Sequence, residues 1–369
     1  MRKMKSFNEV FEDKTKYGTK IKTSEYCEMG AHLIIDQGQE QVAGYTDIEE
    51  GVFEEVPVII FGDHTRVIKY VDKPFFLGAD GVKVLRSKFK NANYKYLYYA
   101  LKNARIPNTG YNRHFKWLKE VQIEYPDYRR QENVVKILDK VSDLIETRQH
   151  EIKRLDDLIK ARFVELFGNP VLNEKGWESN LLAQLTLKIG SGATPKGGRE
   201  AYQEEGIALI RSMNVYNGKF EYKDLAHISD EQAAKLDNVI IKESDVLLNI
   251  TGASVARSCV VPNQILPARV NQHVCIIRCK ECIEPIFLNR LLIDDNYQKL
   301  LWEIAGSGAT REAITKQQVE RLKIILPPIE LQNQFADFVR QVDKSKVAAQ
   351  KALDETQTLF DSLMQEYFG

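Results

Sequence analysis

The chain repeats itself. Shifted by 201 positions, residues 121–168 fall on residues 322–369 without a gap: Pro126 meets Pro327, Gln131 meets Gln332, Val141 meets Val342, and Phe167-Gly168 meets Phe368-Gly369. Identities are few, but the hydrophobic pattern coincides. An internal repeat constrains the fold strongly, because both copies have to build the same unit.

Each copy reads as a helix with a seven-residue period. Leu138, Ile145, Ile152, Ile159 and Leu166 form one line, with Val134, Val141 and Leu155 beside it. In the second copy Val339, Leu353, Phe360 and Tyr367 match the first line, and Phe335, Val342 and Leu363 match its companion. Spacings of three and four make the seam of a coiled coil. Arg148, Arg162 and Lys346 interrupt that seam, which predicts a short pairing of two helices rather than a fibre. Tyr125-Pro126-Asp127 and Leu326-Pro327-Pro328 stop a preceding strand and open the helices, and Gly168 and Gly369 end them. The predicted helices are therefore 126–168 and 326–369.

The segments before the helices are related more loosely. An apolar run at 56–61 leads to Gly62-Asp63-His64-Thr65-Arg66, as 245–250 lead to Thr251-Gly252-Ala253-Ser254-Val255. Strand-like runs ending in Arg86 and Arg278 follow, then helix-like stretches at 94–101 and 285–301. Gly110-Tyr111-Asn112-Arg113 and Gly308-Ala309-Thr310-Arg311 come next. The expected architecture is α+β (mixed α/β): globular domains at 1–125 and 169–325, joined by two long antiparallel coiled-coil helices in a pseudo-two-fold tandem duplication.

Several classes of function lose their support. No G-x-x-x-x-G-K-[ST] loop for ATP and no Gly-x-Ser-x-Gly elbow occurs. Gly190-Ser191-Gly192-Ala193 lacks the third glycine of a dinucleotide fingerprint, and no apolar strand is expected to lead into it. Asn169-Pro170-Val171 lacks the second proline and the aromatic of the Asn-Pro-Pro-aromatic motif of amino-methyltransferases. Cys279-x-x-Cys282, close to His273 and Cys275, has a zinc-like spacing, but no second pair completes a site. We expect no catalytic set, no metal and no cofactor in this chain. No run of about eighteen apolar residues suggests a membrane span. The acidic N-terminal stretch and five cysteines, an odd number, fit a cytoplasmic protein with free thiols.

Charge is balanced overall, 52 Lys+Arg against 52 Asp+Glu, but not locally. Residues 81–125 carry 10 basic and 2 acidic side chains, whereas residues 1–80 carry 10 and 15. A basic stretch inside a neutral chain keeps a nucleic-acid partner open.

The doubled order of globular segment, proline turn, glutamine and helix resembles one family: the specificity subunit of Type I restriction–modification systems. Carrying the resemblance are Ile324-Ile325-Leu326-Pro327-Pro328-Ile329-Glu330-Leu331-Gln332, Leu166-Phe167-Gly168-Asn169-Pro170 and Gly190-Ser191-Gly192-Ala193-Thr194-Pro195. Residues 207–211, 245–248 and Ser307-Gly308-Ala309-Thr310-Arg311 add to it. It covers essentially the whole chain, although residues 1–60 lack a clear counterpart of Gly190–Pro195.

By that resemblance, two target-recognition domains each read half of a bipartite site in double-stranded DNA, and the paired helices dock two methyltransferase (modification) subunits. Restriction/translocase subunits complete the assembly, and S-adenosylmethionine, ATP and magnesium belong to those partners. A protein-interaction scaffold with duplicated binding domains is the alternative; only phosphate contacts would give steeply salt-dependent retention on DNA.

Candidate DNA-binding residues follow from side-chain type. Cations neutralise phosphates, and Arg, Asn and Gln match base edges. In the first domain these are His64, Thr65, Arg66, Lys69, Tyr111, Arg113 and Lys116. In the second they are Arg199, Arg211, Asn214, Thr251, Arg257, Asn271, Gln272 and Arg311, beside strand ends and glycines. Tyr96, Tyr98, Tyr99 and Trp117 sit at helical spacing and read as core.

Overall fold

A computed structural model describes residues 3–78, 80–110, 112–195, 197–306 and 312–369, with the backbone alone at Arg199 and Ala201. The chain divides into two compact units, 1–149 with 350–369, and 150–349. Each unit takes in part of both long helices, so the units do not end where the globular segments end.

The first unit opens with β1 (Met4–Ser6), α1 (Phe7–Val10) and β2 (Phe11–Asp13), followed by β3 (His32–Ile35), β4 (Gly44–Thr46), β5 (Val58–Gly62), β6 (Ile68–Val71), β7 (Phe75–Leu77) and β8 (Val82–Ser87). Helices α2 (Tyr94–Lys102) and α3 (Phe115–Leu118), strand β9 (Gln122–Glu124) and the long helix α4 (Tyr128–Phe167) complete the first repeat. One sheet has the antiparallel order β2-β8-β5-β6; the other, β4-β3-β7, pairs β3 with β7 in parallel. β1 pairs with β9.

The second unit repeats this plan with β10 (Ser179–Leu181), α5 (Leu182–Leu185), β11 (Thr186–Ser191), β12 (Ile207–Ile210), a small hairpin of β13 (Val215–Tyr216) and β14 (Lys219–Phe220), and β15 (Ala226–Ile228). Then come α6 (Asp230–Ala234), β16 (Val246–Asn249), β17 (Ser258–Val260), β18 (Ala268–Val270), β19 (Val274–Cys279), α7 (Pro285–Leu292), α8 (Asp295–Gly306), α9 (Lys316–Glu320), β20 (Lys323–Ile325) and α10 (Ile329–Phe368). Its sheets run β11-β19-β16-β17 and β15-β12-β18, again with one parallel pair, β12 and β18. β10 pairs with β20. The strand orders correspond one to one, so the duplication extends through the globular parts.

Both four-stranded sheets are covered on two faces, which explains their unbroken apolar runs. In β5, Val58 and Ile60 face the three-stranded sheet while Ile59 and Phe61 face the helices. In β16, Leu247 faces the smaller sheet while Val246 and Leu248 face the helices. The strand that holds Gly190-Ser191, β11, lies at the sheet edge with only Thr186 and Ile189 buried, so it lacks the apolar run of a central strand. Its counterpart β2 is half as long, three residues against six, which hides the correspondence in residues 1–60.

α4 and α10 each span 40 residues, and their starts and ends differ by the same 201 positions. They begin two and three residues later than expected, at Tyr128 and Ile329. The shared glutamine ties down each helix start. Gln131 Nε2 donates to the Pro126 carbonyl at 2.9 Å, and Gln332 Nε2 to that of Pro327 at 2.7 Å. Both side chains are buried, so each tethers its helix to the turn before it. Gly168, at φ +73°, ends α4 in a left-handed conformation open to glycine at little steric cost.

Within each unit the helix segments run antiparallel. In the first, Arg148 donates to the Ala352 carbonyl and the Thr356 hydroxyl, and Val134, Leu138 and Val141 share a core with Phe360 and Met364. In the second, Lys346 meets Asp156 at 2.5 Å, and Phe335 packs on Phe163 and Phe167 with ring centres 5.6 and 5.4 Å away. Thus Arg148 and Lys346, which interrupt the seam in sequence, find polar partners across it. Among the described residues no helix is long and apolar enough to cross a membrane.

Candidate nucleic-acid interface

The turns β5–β6 and β16–β17 occupy the same place in the two units and close in the same way. Gly62 N–H donates to the Val67 carbonyl, and Arg66 N–H returns to the Gly62 carbonyl. Correspondingly, Asn249 N–H donates to the Arg257 carbonyl, and Ala256 N–H returns to the Asn249 carbonyl. Arg66 and Ala256 are both left-handed, at φ +63° and +70°. The equivalent pairs are therefore Gly62 with Asn249, Arg66 with Ala256, and Val67 with Arg257. The second loop is longer, 250–256 against 63–66.

In the first unit the turn is stitched to the segment carrying Arg113. Thr65 Oγ1 donates to the Gln37 carbonyl at 2.6 Å, and His64 N–H to Gln37 Oε1 at 3.1 Å. Arg66 Nη1 reaches the Ile106 carbonyl at 3.3 Å. Fully buried His114 binds the Asp63 carbonyl through its N–H at 2.8 Å, and Asp63 Oδ1 accepts from Phe115 N–H at 2.7 Å. Arg113 and Lys116, flanking this knot, are exposed. Arg66 and Lys102 line an open groove of about 520 Å³ that carries no acidic side chain among its described lining. Lys102, on the last turn of α2, belongs to the basic stretch 81–125 but was absent from the expected set.

Lys69 is a correction. It is 2% exposed, lies 3.4 Å from Asp36 Oδ1 and donates to the Glu40 carbonyl at 2.5 Å. Burial holds its ammonium pKa below the usual lysine value despite Asp36. It lies at the floor of that groove with its ammonium turned to Asp36 and the Glu40 carbonyl, so it braces the sheet. Tyr111 lies outside the described residues.

In the second unit Thr251, Arg257 and His273 line an open groove of about 430 Å³ with Gly252, Ser254 and Tyr216. The Arg257 guanidinium lies 4.6 Å above the Tyr216 ring, a cation–π contact that aims it without neutralising it. Thr251, Gln272 and His273 are joined by hydrogen bonds. Arg211 stands apart from them: it stacks on Tyr202 at 5.2 Å and donates to the Asp224 carbonyl. Asn214, at 0% exposure, is a second correction. Its amide donates to the Glu221 and Lys223 carbonyls, closing the β13–β14 hairpin from inside. Asn271 is likewise buried, its Oδ1 accepting from His273 N–H at 3.0 Å, so it shapes the turn and has no edge to offer. Arg199 is placed by its backbone alone, in the turn Gly198–Ala201, and Arg311 lies outside the described residues. His273 is the residue sequence reasoning missed, weighing it only beside the cysteines.

Those cysteines sit elsewhere. Cys275 is buried in β19 with its thiol pushed up to about 12 by burial, and Cys282 is exposed. Among the described residues no three His, Cys, Asp or Glu side chains group as metal ligands.

The family model for the Type I restriction modification DNA specificity domain matches residues 3–156 and 174–356, one copy per repeat. The chain belongs to that family. The Type I DNA specificity family works by recognising a DNA sequence, and this member carries two copies of its domain. It is 21% identical over 350 residues to the Escherichia coli "Type I restriction enzyme EcoR124I/EcoR124II specificity subunit", covering 90% of this chain and 84% of that one. The S subunit of a Type-I restriction-modification system from M. genitalium superposes with a TM-score of 0.64 at 17% identity, covering 100% of this chain and 96% of that one. A chain solved in work on "complex assembly" and "conformational transition of the type I R-M system" superposes with a TM-score of 0.56, also at 17% identity, covering 99% and 97%. At these identities the superpositions establish the fold.

Proposed function

We propose that each unit reads one half of a bipartite site in double-stranded DNA, the first through Arg66, Arg113 and Lys116, the second through Thr251 and Arg257. The observation that supports this is the repeated turn closure, which sets an arginine beside an acid-free groove in both units. The chain itself does no chemistry. It supplies the address to two methyltransferase subunits and to restriction/translocase subunits, which carry S-adenosylmethionine, ATP and magnesium, and it works in the cytoplasm.

Half-site mapping tests the reading. With the complete system in a host, genome-wide methylation by Arg66→Ala should lose specificity in one half of the motif only, and Arg257→Ala in the other only. A lost bidentate base contact costs about 1–3 kcal/mol at one position, whereas a lost phosphate contact weakens all sequences alike. Both variants altering the same half would sink the assignment.

A further inference from the structure

Four side chains in the second unit form one hydrogen-bonded row. Thr194 Oγ1 donates to Gln272 Oε1 at 2.6 Å, Gln272 Nε2 meets His273 Nε2 at 2.9 Å, and His273 Nδ1 meets Thr251 Oγ1 at 2.5 Å. The row has a direction. Because the Gln272 oxygen accepts from Thr194, its NH₂ group faces the histidine. The ring nitrogen facing an NH₂ must be the unprotonated one, so the ring proton sits on Nδ1 and is donated to Thr251 Oγ1. Because its oxygen accepts that bond, the Thr251 hydroxyl hydrogen is not consumed by the row and is left to donate elsewhere.

The backbone holds this geometry from several sides. Ile250 N–H donates to the His273 carbonyl at 3.0 Å, and Gly192 N–H to that of Asn271 at 3.1 Å. Thr251 is part-buried and lines the groove, and Gly252 beside it is exposed at φ +70°.

A free threonine hydroxyl is ambivalent and contacts donors and acceptors alike. We infer that the Thr194–Gln272–His273 row keeps the Thr251 hydroxyl hydrogen free and positioned, so that Thr251 donates to a base acceptor: guanine O6 or N7, adenine N7 or thymine O4. The inference rests on the second unit being a DNA half-site reader, and it assigns His273 and Gln272 as positioning residues for specificity, with Thr251 touching the base.

The test uses the complete system in a host, with methylation mapped genome-wide for Thr251→Val, Thr251→Ser, His273→Phe and Gln272→Leu. Thr251→Val should lower discrimination at one base pair of the second half-site about three- to tenfold, the worth of one neutral hydrogen bond. Thr251→Ser should keep it. His273→Phe and Gln272→Leu, which leave the hydroxyl but break the row at different points, should relax discrimination at that same base pair. Either variant suffices if the other does not fold. An unchanged motif in Thr251→Val, relaxation at different base pairs, or uniform weakening across all sequences, as for a phosphate contact, would overturn the inference. A wild-type system without sequence-specific methylation would instead overturn the functional reading beneath it.

Discussion

In the first unit four residues lie between the closing pair Gly62 and Val67, and Arg66 is the one held at φ +63°; in the second, seven lie between Asn249 and Arg257, and Ala256 takes that position at φ +70°. The closure is the same, so the duplicated backbone has been kept while its cargo has moved. The arginine lies at the left-handed position in one unit and one residue later, at Arg257, in the other. Three extra residues in the second loop make room for Thr251 and the row behind it. One scaffold can thus carry two different loops, because the loop's length and side chains vary without disturbing the strands that hold its ends.

The cores offer the harshest way to test the equivalence. α10 supplies Phe335 to the second unit and Phe360 to the first. Phe335 is fully buried among aromatic rings, whereas Phe360 keeps 6% exposure and meets Tyr99 at 6.2 Å. Phe335→Ala should cost about 3–5 kcal/mol, and Phe360→Ala should lie at the lower end of that range. Hydrogen exchange should localise the damage, rising in 150–349 for the first variant and in 1–149 for the second. Exchange rising equally everywhere in both would show that the units do not hold separate cores.

A smaller effect probes what the second unit has and the first lacks. A Cβ on Gly192 would stand 1.7 Å from the Val270 carbonyl oxygen, while one on Gly190 would meet nothing within 4 Å. Gly192→Ala should cost about 3 kcal/mol, because backbone has to move, and Gly190→Ala should stay within about 0.5 kcal/mol. Denaturant unfolding measures both. Equal midpoints would mean the loop after β11 is not pressed against β18.

How much of this was legible follows the same division. The helices were readable because their boundaries are set by local chemistry, a proline turn, a glutamine tether and a glycine stop, all preserved at one offset. The turn equivalence was half readable: the apolar runs aligned, but Gly62 and Asn249 share no chemistry, and a loop-length difference leaves no periodic trace. Lys69 misled because β6 alternates with Lys69 and Val71 inward and Ile68 and Tyr70 half-exposed, the opposite face from the one its hydrophobicity suggests. Asn214 misled because a buried amide bridging a hairpin looks, in sequence, like a base-reading amide. His273 drew notice for its neighbours at Cys275 and Cys279, and only the fold brings it to Thr251.

The finest test concerns the left-handed position itself. An L-residue there is strained by about 1–2 kcal/mol, which glycine relieves while adding back about 0.5–1 kcal/mol of chain entropy. At Arg66 the side chain is half-exposed, and its bond to the Ile106 carbonyl is long at 3.3 Å. Arg66→Gly should therefore raise the stability of the first unit by about 0.5 kcal/mol while abolishing discrimination in its half-site. At Ala256 the methyl group is fully buried, and its removal forfeits about 0.8 kcal/mol of apolar burial. That cancels the relief, so Ala256→Gly should leave stability within about 0.5 kcal/mol and recognition unchanged, since Arg257 keeps its place over Tyr216. Thermal unfolding read beside methylation mapping separates the two. If Ala256→Gly alters the motif as Arg66→Gly does, the shared backbone position carries the recognition, and the arginines at Arg66 and Arg257 do not.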